Sequence, residues 1–142
     1  MKHKKLFIFF LICLLLTIGG FILAYNLTHY TIYIRNPDDI VKIKYTDFDG
    51  DVYELTDKEL IDQYVDSING MAFKRIRITS VSFFSSGYIA FYNKKGEKVY
   101  AFSINSDSCI SLGNYMEEYI TDKTIDTDIF SEYGEFIENI HY

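Results

Sequence analysis

The pattern of hydrophobic and polar positions divides the chain into one unbroken apolar block and a longer stretch of short, alternating runs. Leu6 to Ala24 (LFIFFLICLLLTIGGFILA) holds nineteen residues without a charge. A helix of that composition has no polar face to turn toward water, and at ~1.5 Å per residue it nearly matches a ~30 Å hydrocarbon layer. It predicts a membrane-crossing helix. Beyond Pro37 the apolar positions recur every second residue or at 3.6-residue spacing, the marks of half-buried strands and amphipathic helices. The boundaries that follow are a leader at 1–5, an anchor at 6–25, a juxtamembrane linker at 26–37 and a globular domain at 38–142. Tyr25, Tyr30 and Tyr33 suit the membrane interface, where an amphipathic ring is well solvated at both ends, and Arg35-Asn36-Pro37-Asp38 breaks the pattern.

Within the domain, Val41, Ile43 and Tyr45 alternate with Lys42 and Lys44, which predicts a strand over Ile40–Thr46. Asp47-Phe48-Asp49-Gly50-Asp51 reads as a hairpin turn into a second strand, Val52–Leu55. A calcium loop is the competing reading of carboxylates 47, 49 and 51. An EF-hand places its glycine after the third acidic position and a glutamate six residues further on; here Gly50 precedes Asp51, and Thr56 stands where the glutamate belongs. Thr56-Asp57-Lys58-Glu59 has the form of a capping box. Leu60, Ile61, Tyr64, Val65 and Ile68 follow at helical spacing and Gly70 ends the run, so a helix of about 14 residues is expected to lie on the sheet.

Phe73 to Phe84 predicts a long strand with Ile76 and Ile78 facing one way and Arg75, Arg77 and Thr79 the other. Ser85-Ser86-Gly87 is a turn, Tyr88–Tyr92 a strand, Asn93–Gly96 a turn, and Lys98–Ile104 a strand whose Tyr100, Phe102 and Ile104 share a face. Cys109–Leu112 is a further short strand, and Asn114–Lys123 fits either a strand or one helical turn. Ile129, Phe130, Tyr133, Phe136, Ile137 and Ile140 fall at helical spacing and predict a C-terminal helix. Asp126 or Asp128 suits its start, and Gly134 sits inside it at a cost of about 1 kcal/mol. The expected architecture is α+β: an N-terminal transmembrane helix, then an antiparallel sheet of about five to seven strands with two helices, in the order β-β-α-β-β-β-(β)-α.

Charge gives the block a direction. The leader MKHKK carries three lysines, and positive flanks are retained on the cytoplasmic side, so the domain is expected outside the cell. A cleaved secretory signal is the alternative, which would release the domain. Signal cores are shorter, however, and Ile22-Leu23-Ala24 has a bulky residue where a small one is preferred. Ile12 before Cys13 likewise departs from a lipoprotein signal, and Gly19-Gly20 lacks the small-xxx-small spacing of packed transmembrane pairs. Asn26-Leu27-Thr28 matches a glycosylation sequon but abuts the bilayer, and is read as coincidence. All twenty acidic residues and eleven basic ones lie beyond the block, so the outer portion carries −9. Nucleic acid is therefore not an expected partner. Cys109 stands alone outside the block, which leaves no intramolecular disulfide and fits a bacterial envelope protein.

The residues that could carry chemistry are sparse. His3, His29 and His141 all lie outside the body of the domain, so no base is positioned beside a serine or cysteine nucleophile. No Cys/His metal spacing, Gly-rich phosphate loop or G-x-S-x-G is present, and neither enzyme activity, metal nor cofactor is expected; with twenty acids, a folded carboxylate pair is the catalytic arrangement left open. Cys109 reads as a small buried hydrophobe. Two surface features stand out. Lys74, Arg75 and Arg77 form a basic cluster suited to anionic headgroups or wall polymer, or simply to a solvated sheet face. Tyr88 and Tyr92 share one face of a strand whose other face carries Ile89 and Phe91, which suits a protein or glycan partner. Core filling on both faces is the competing reading.

The layout of a single anchor, the capped helix at Thr56 and glycine-turn hairpins resembles the small membrane-tethered or lipoprotein domains of unknown function of low-GC Gram-positive bacteria. That resemblance implies an α+β envelope protein and transfers no functional residue. The function expected is a tethered binding or sensing module that engages another envelope protein. The alternative is an immunity-type protein that neutralises a toxin or bacteriocin at the membrane.

Overall fold

Helix α1 spans Lys2–Thr28, and its apolar part, Leu6–Thr28, is 23 residues with none of it buried against the rest of the chain. At 1.5 Å per residue this part is roughly 34 Å long, long and apolar enough to cross a membrane. The computed structural model describes residues 2–78, 87–112 and 117–140.

Among the described residues, nine strands follow or flank two further helices: β1 (His29–Thr31), β2 (Ile40–Asp47), β3 (Asp51–Leu55), α2 (Lys58–Ile68), β4 (Ala72–Ile78), β5 (Gly87–Asn93), β6 (Lys98–Ser106), β7 (Cys109–Leu112), β8 (Glu117–Ile120), α3 (Asp128–Tyr133) and β9 (Glu135–Asn139). They form one sheet in the order β1-β4-β8-β7-β6-β5-β2-β3-β9, every neighbouring pair antiparallel. The class is α+β as expected, but the sheet exceeds five to seven strands because both of its edges come from segments whose pattern pointed elsewhere.

The first edge is β1, inside the stretch expected to be a linker. Three residues are too few to show alternation, yet His29–Thr31 pair with Lys74–Ala72 of β4. Ile32 then donates its amide to Met71 O at 3.0 Å and accepts from Gly70 N at 2.8 Å. Ile32 and Ile34 are buried in the core, so α1 passes into the sheet without a flexible tether. The second edge is β9, where helical spacing predicted helix. The helix stops after Tyr133 because the chain turns extended at Gly134 (φ −77°, ψ 148°); a Cβ there would stand 2.4 Å from Phe130 O. Phe136, Ile137 and Ile140, taken as the continuation of its apolar stripe, are exposed, and Glu135–Asn139 instead pair with β3.

The remaining elements follow local chemistry. Asp57, one residue later than the capping-box reading placed it, caps α2 by accepting from Leu60 N at 3.1 Å. The helix ends before Gly70, whose φ of +81° is left-handed, and is 11 residues long rather than about 14. In the β2–β3 turn, Asp47 Oδ1 accepts from the amides of Asp49 and Asp51, both at 2.9 Å, and Gly50 supplies φ +82°. The hairpin therefore uses the carboxylate that a calcium loop would need. A bulge at the start of β2 shifts the register between Ile40 and Lys42, which buries Ile40 and leaves Val41 half-buried. The expected extension of β4 beyond Ile78 and the turn at Ser85-Ser86 lie outside the described residues, as do 113–116; β8 resolves the strand-or-helix choice for 117–120 in favour of strand.

Topology fixes where the core sits. β3 and β4 stand near opposite edges of the sheet, so α2 must cross a face to join them, and the chain through α3 crosses the same face between β8 and β9. That face carries Ile43, Leu55, Phe73, Ile89, Phe91, Phe102 and Ile110, all buried, against Ile61, Tyr64, Val65 and Ile68 of α2 and Phe130 of α3. Aromatic rings run through this layer in sequence: Phe136 to Tyr53, Tyr45, Phe130, Tyr64, Phe91 and Tyr100, at centroid separations of 5.0–6.4 Å. The Tyr100 hydroxyl then bonds that of Tyr30 on β1. Six of the thirteen tyrosines, at 30, 45, 53, 64, 100 and 119, pack in or against this core.

Candidate functional site

Two tyrosines of one strand, β5, lie outside the core. Strand parity on β5 sends Ile89 and Phe91 inward, fully buried, and Tyr88 and Tyr92 to the opposite face, where Tyr88 is 38% exposed and Tyr92 half-buried. Neighbouring strands bring lysines to both. Lys98 of β6 donates to the Tyr88 hydroxyl at 3.0 Å with its ammonium 5.6 Å from the ring centre, and this bond raises the Lys98 pKa above its ordinary value. Lys42 of β2 stands 5.3 Å from the centre of the Tyr92 ring. Between the two tyrosine positions, Ala90 pairs with Lys44 on one side and Ala101 on the other, so small residues form the floor.

Lys42 and Lys44 both reach Glu54 of β3, at 3.5 and 3.3 Å. The patch thus holds three lysines against one glutamate, on a domain whose balance is strongly acidic. Cations set over aromatic rings hold both groups in fixed geometry at about 0.5–1 kcal/mol per exposed pair, which reduces the side-chain ordering that binding would otherwise require. Away from this face, beside the core residues Ile34 and Ile40, a cavity of about 300 Å³ bordered by Tyr33, Arg35, Asn36, Asp39, Asn93 and Tyr100 lies at the small end of ligand-pocket sizes.

The basic cluster of β4 does not join this face. Four strand positions separate β4 from β5 in the sheet, roughly 19 Å at ~4.8 Å per strand. Nor does it act as one cluster. Phe73 takes the core, which fixes the parity of the strand: Lys74 and Ile76 are exposed, while Arg75 is half-buried. Ile76 lies on the face opposite Arg75, as the alternation implied, but that face is the solvent side. A register shift falls between Arg75 and Arg77, and Arg77 pairs in register with Glu118.

Arg75 instead holds the junction between helix and sheet. Its guanidinium donates to Leu27 O at 3.2 Å, at the C-terminal end of α1, and pairs with the Glu117 carboxylate of β8. A cation at this place satisfies a carbonyl with no intrahelical partner and complements the helix dipole. Tyr119 donates to the other Glu117 oxygen at 2.5 Å and packs 5.5 Å from the Tyr30 ring. At the same junction, His29 of β1 stacks on Tyr25 of α1 at 3.9 Å. Arg75→Met is expected to cost about 1–3 kcal/mol, because it leaves the Glu117 charge unpaired. Thermal unfolding of the full chain in micelles measures this, and adding Glu117→Gln should recover part of the loss. Strict additivity of the two changes would count against the pairing.

The search for chemistry elsewhere yields little. Burial, and secondarily Glu118, raises the pKa of the Cys109 thiol, which keeps it protonated and weakly nucleophilic. Among the described residues no three His, Cys, Asp or Glu side chains gather into a metal-holding group. Of the sequence candidates, then, Tyr88 and Tyr92 share a face, and Lys74, Arg75 and Arg77 lie apart from it. Lys42, Lys44, Lys98 and Glu54 belong to that face and were not singled out from sequence. Lys42 and Lys44 were visible as the polar side of a strand, but which tyrosines they meet depends on the β2–β5 register. Comparison with protein-family models, with curated proteins and with solved structures finds no match to this chain.

Proposed function

We propose that this chain is a single-pass membrane protein whose domain, held outside the cell by α1, binds another envelope protein through the Tyr88–Tyr92 face. The observation that carries the reading is a division of labour among the tyrosines. Those at 45, 53, 64, 100 and 119 pack in or against the core, whereas Tyr88 and Tyr92 stay on the opposite face, each engaged by a lysine. Aromatic side chains are enriched at the core of protein interfaces, with charged groups at the rim. The lysines select for a partner whose contact surface is acidic. The proposed orientation rests on the lysines of the leader, and the anchoring on the length and composition of α1. Direct continuity from α1 into β1 supports a domain held close to the bilayer in a set orientation, as suits a partner in the same membrane or layer.

Site-specific photocrosslinking in intact cells tests this. A benzophenone amino acid at position 88 or 92 of the full-length chain is expected to trap a discrete protein, and Lys42→Glu/Lys98→Glu should abolish the adduct. The same probe at Glu59, exposed on α2, serves as the control. Adducts at 59 but none at 88 or 92, or adducts indifferent to the lysine reversals, would refute the assignment of this face. A toxin or bacteriocin trapped at 88 and 92 would make the role self-protection.

A further inference from the structure

The edge strand β9 has a character the core does not explain. Among the described residues it pairs on one side only, with β3, and is the last strand of the sheet. All five of its residues are exposed. The amide of Ile140 turns inward to Gly50 O at 2.8 Å, so by strand alternation the amide of Asn139 turns outward, away from β3. Phe136 and Ile137 are exposed on the strand, Tyr133 just before it, and Phe48 in the neighbouring turn. An open edge with apolar side chains is a template for another strand, and proteins ordinarily blunt such edges with lysine, proline or a covering element.

Here the flanking charge has a single sign. Glu132, Glu135 and Glu138 lie on or beside β9 with no basic residue among them, and Asp49 and Asp51 sit across the turn, where Asn139 donates to Asp49 O at 3.2 Å and bonds the Asp51 carboxylate. Glu54, in register with Glu135, already has both its lysines. Among the described residues, none of Glu132, Glu135 and Glu138 has an ion-pair partner. An edge charged in this way rejects acidic strands and a second copy of itself, but not a basic strand, so the charges act as a selector.

We propose that β9 is the docking edge for an extended basic segment of another protein, which joins the sheet as a tenth strand. Main-chain hydrogen bonds would supply the affinity, the glutamates the choice of partner, and Phe136 and Ile137 the apolar contact. This surface is distinct from the Tyr88–Tyr92 face.

The test uses the full-length chain in nanodiscs and a fluorescent peptide of alternating lysine and valine, with an alternating glutamate and valine peptide as its counterpart. The basic peptide is expected to bind at low salt, weaken as salt rises, and protect the amides of 135–139 from hydrogen exchange. Glu135→Lys/Glu138→Lys, at two exposed positions, should weaken the basic peptide about tenfold or more and admit the acidic one. Tyr88→Ala/Tyr92→Ala should leave both unchanged, which separates this proposal from that for the tyrosine face. Binding without protection of 135–139, no exchange of preference on charge reversal, or self-association that protects the same amides in place of peptide binding would each overturn it.

Discussion

Replacing Phe91 with alanine is expected to remove about 3–5 kcal/mol from the stability of the domain, the range for an aromatic side chain deleted from a packed core. Phe91 is fully buried and stands where the helical layer meets the sheet, 6.4 Å from Tyr64, 6.0 Å from Tyr100 and 6.3 Å from Phe102 by ring centres. The two flanking strands hold their own rings and isoleucines in place, so the cavity cannot collapse cheaply. Domains of this size have about 5–15 kcal/mol in total, and a loss of this size brings the midpoint of denaturant unfolding down steeply with little change in slope. Tyr92→Ala, the next residue on the opposite face, should cost roughly 1 kcal/mol or less, the value of its cation contact. Equilibrium unfolding of both variants in micelles gives the comparison. Equal losses would mean that the faces of β5 have been assigned the wrong way round.

That contrast between adjacent residues was legible before any coordinates, because β5 alternates cleanly and one buried face fixes its parity. The same holds for the turn at Asp47–Asp51 and for the apolar stripe of α2. What the pattern could not show was set by pairing between distant segments. β1 has three residues, less than two strand periods of evidence, and becomes a strand only because β4 offers it an edge. β9 has an apolar spacing that mimics a helix, but the extended turn that Gly134 makes where a Cβ has no room, together with pairing to β3, decides against it. On β4, the alternation of Ile76 and Ile78 with arginines did not say which face is buried; Phe73 in the core sets the parity and sends Ile76 to solvent. The candidate site divides along the same line. Tyr88 and Tyr92 could be read from one strand, whereas their lysines come from two others and depend on register. Arg75 looked like surface charge because its partners, Leu27 O and Glu117, are 48 and 42 residues away.

The tyrosine-built core also makes stability fall in alkali, and the sign follows from where the phenols sit. Burial raises the pKa of Tyr64, whose hydroxyl has no hydrogen-bond partner among the described residues, and of Tyr100, whose hydroxyl is shared with Tyr30. Tyr119 is pushed up to about 12, first by burial and then by its bond to the Glu117 carboxylate, with Arg75 acting the other way. In the unfolded chain these phenols ionise near 10.0. Below that pH both states hold the protons, and the stabilisation is complete. Above it the unfolded chain releases protons that the folded one retains, so stability declines as pH rises from about 10 through 12. Each pKa unit between the states corresponds to about 1.4 kcal/mol, and three such groups together remove roughly several kcal/mol, a large part of the total. Denaturant unfolding at pH 8, 10, 11 and 12, with tyrosinate absorbance recorded in parallel, reads both sides of the linkage. Tyr119→Phe should flatten the decline between pH 10 and 12, since it removes one of the late protons. A folded protein whose tyrosines all ionise together near pH 10 would show that these hydroxyls are open to water, and the ring-to-ring packing from Tyr53 to Tyr100 would then be wrong.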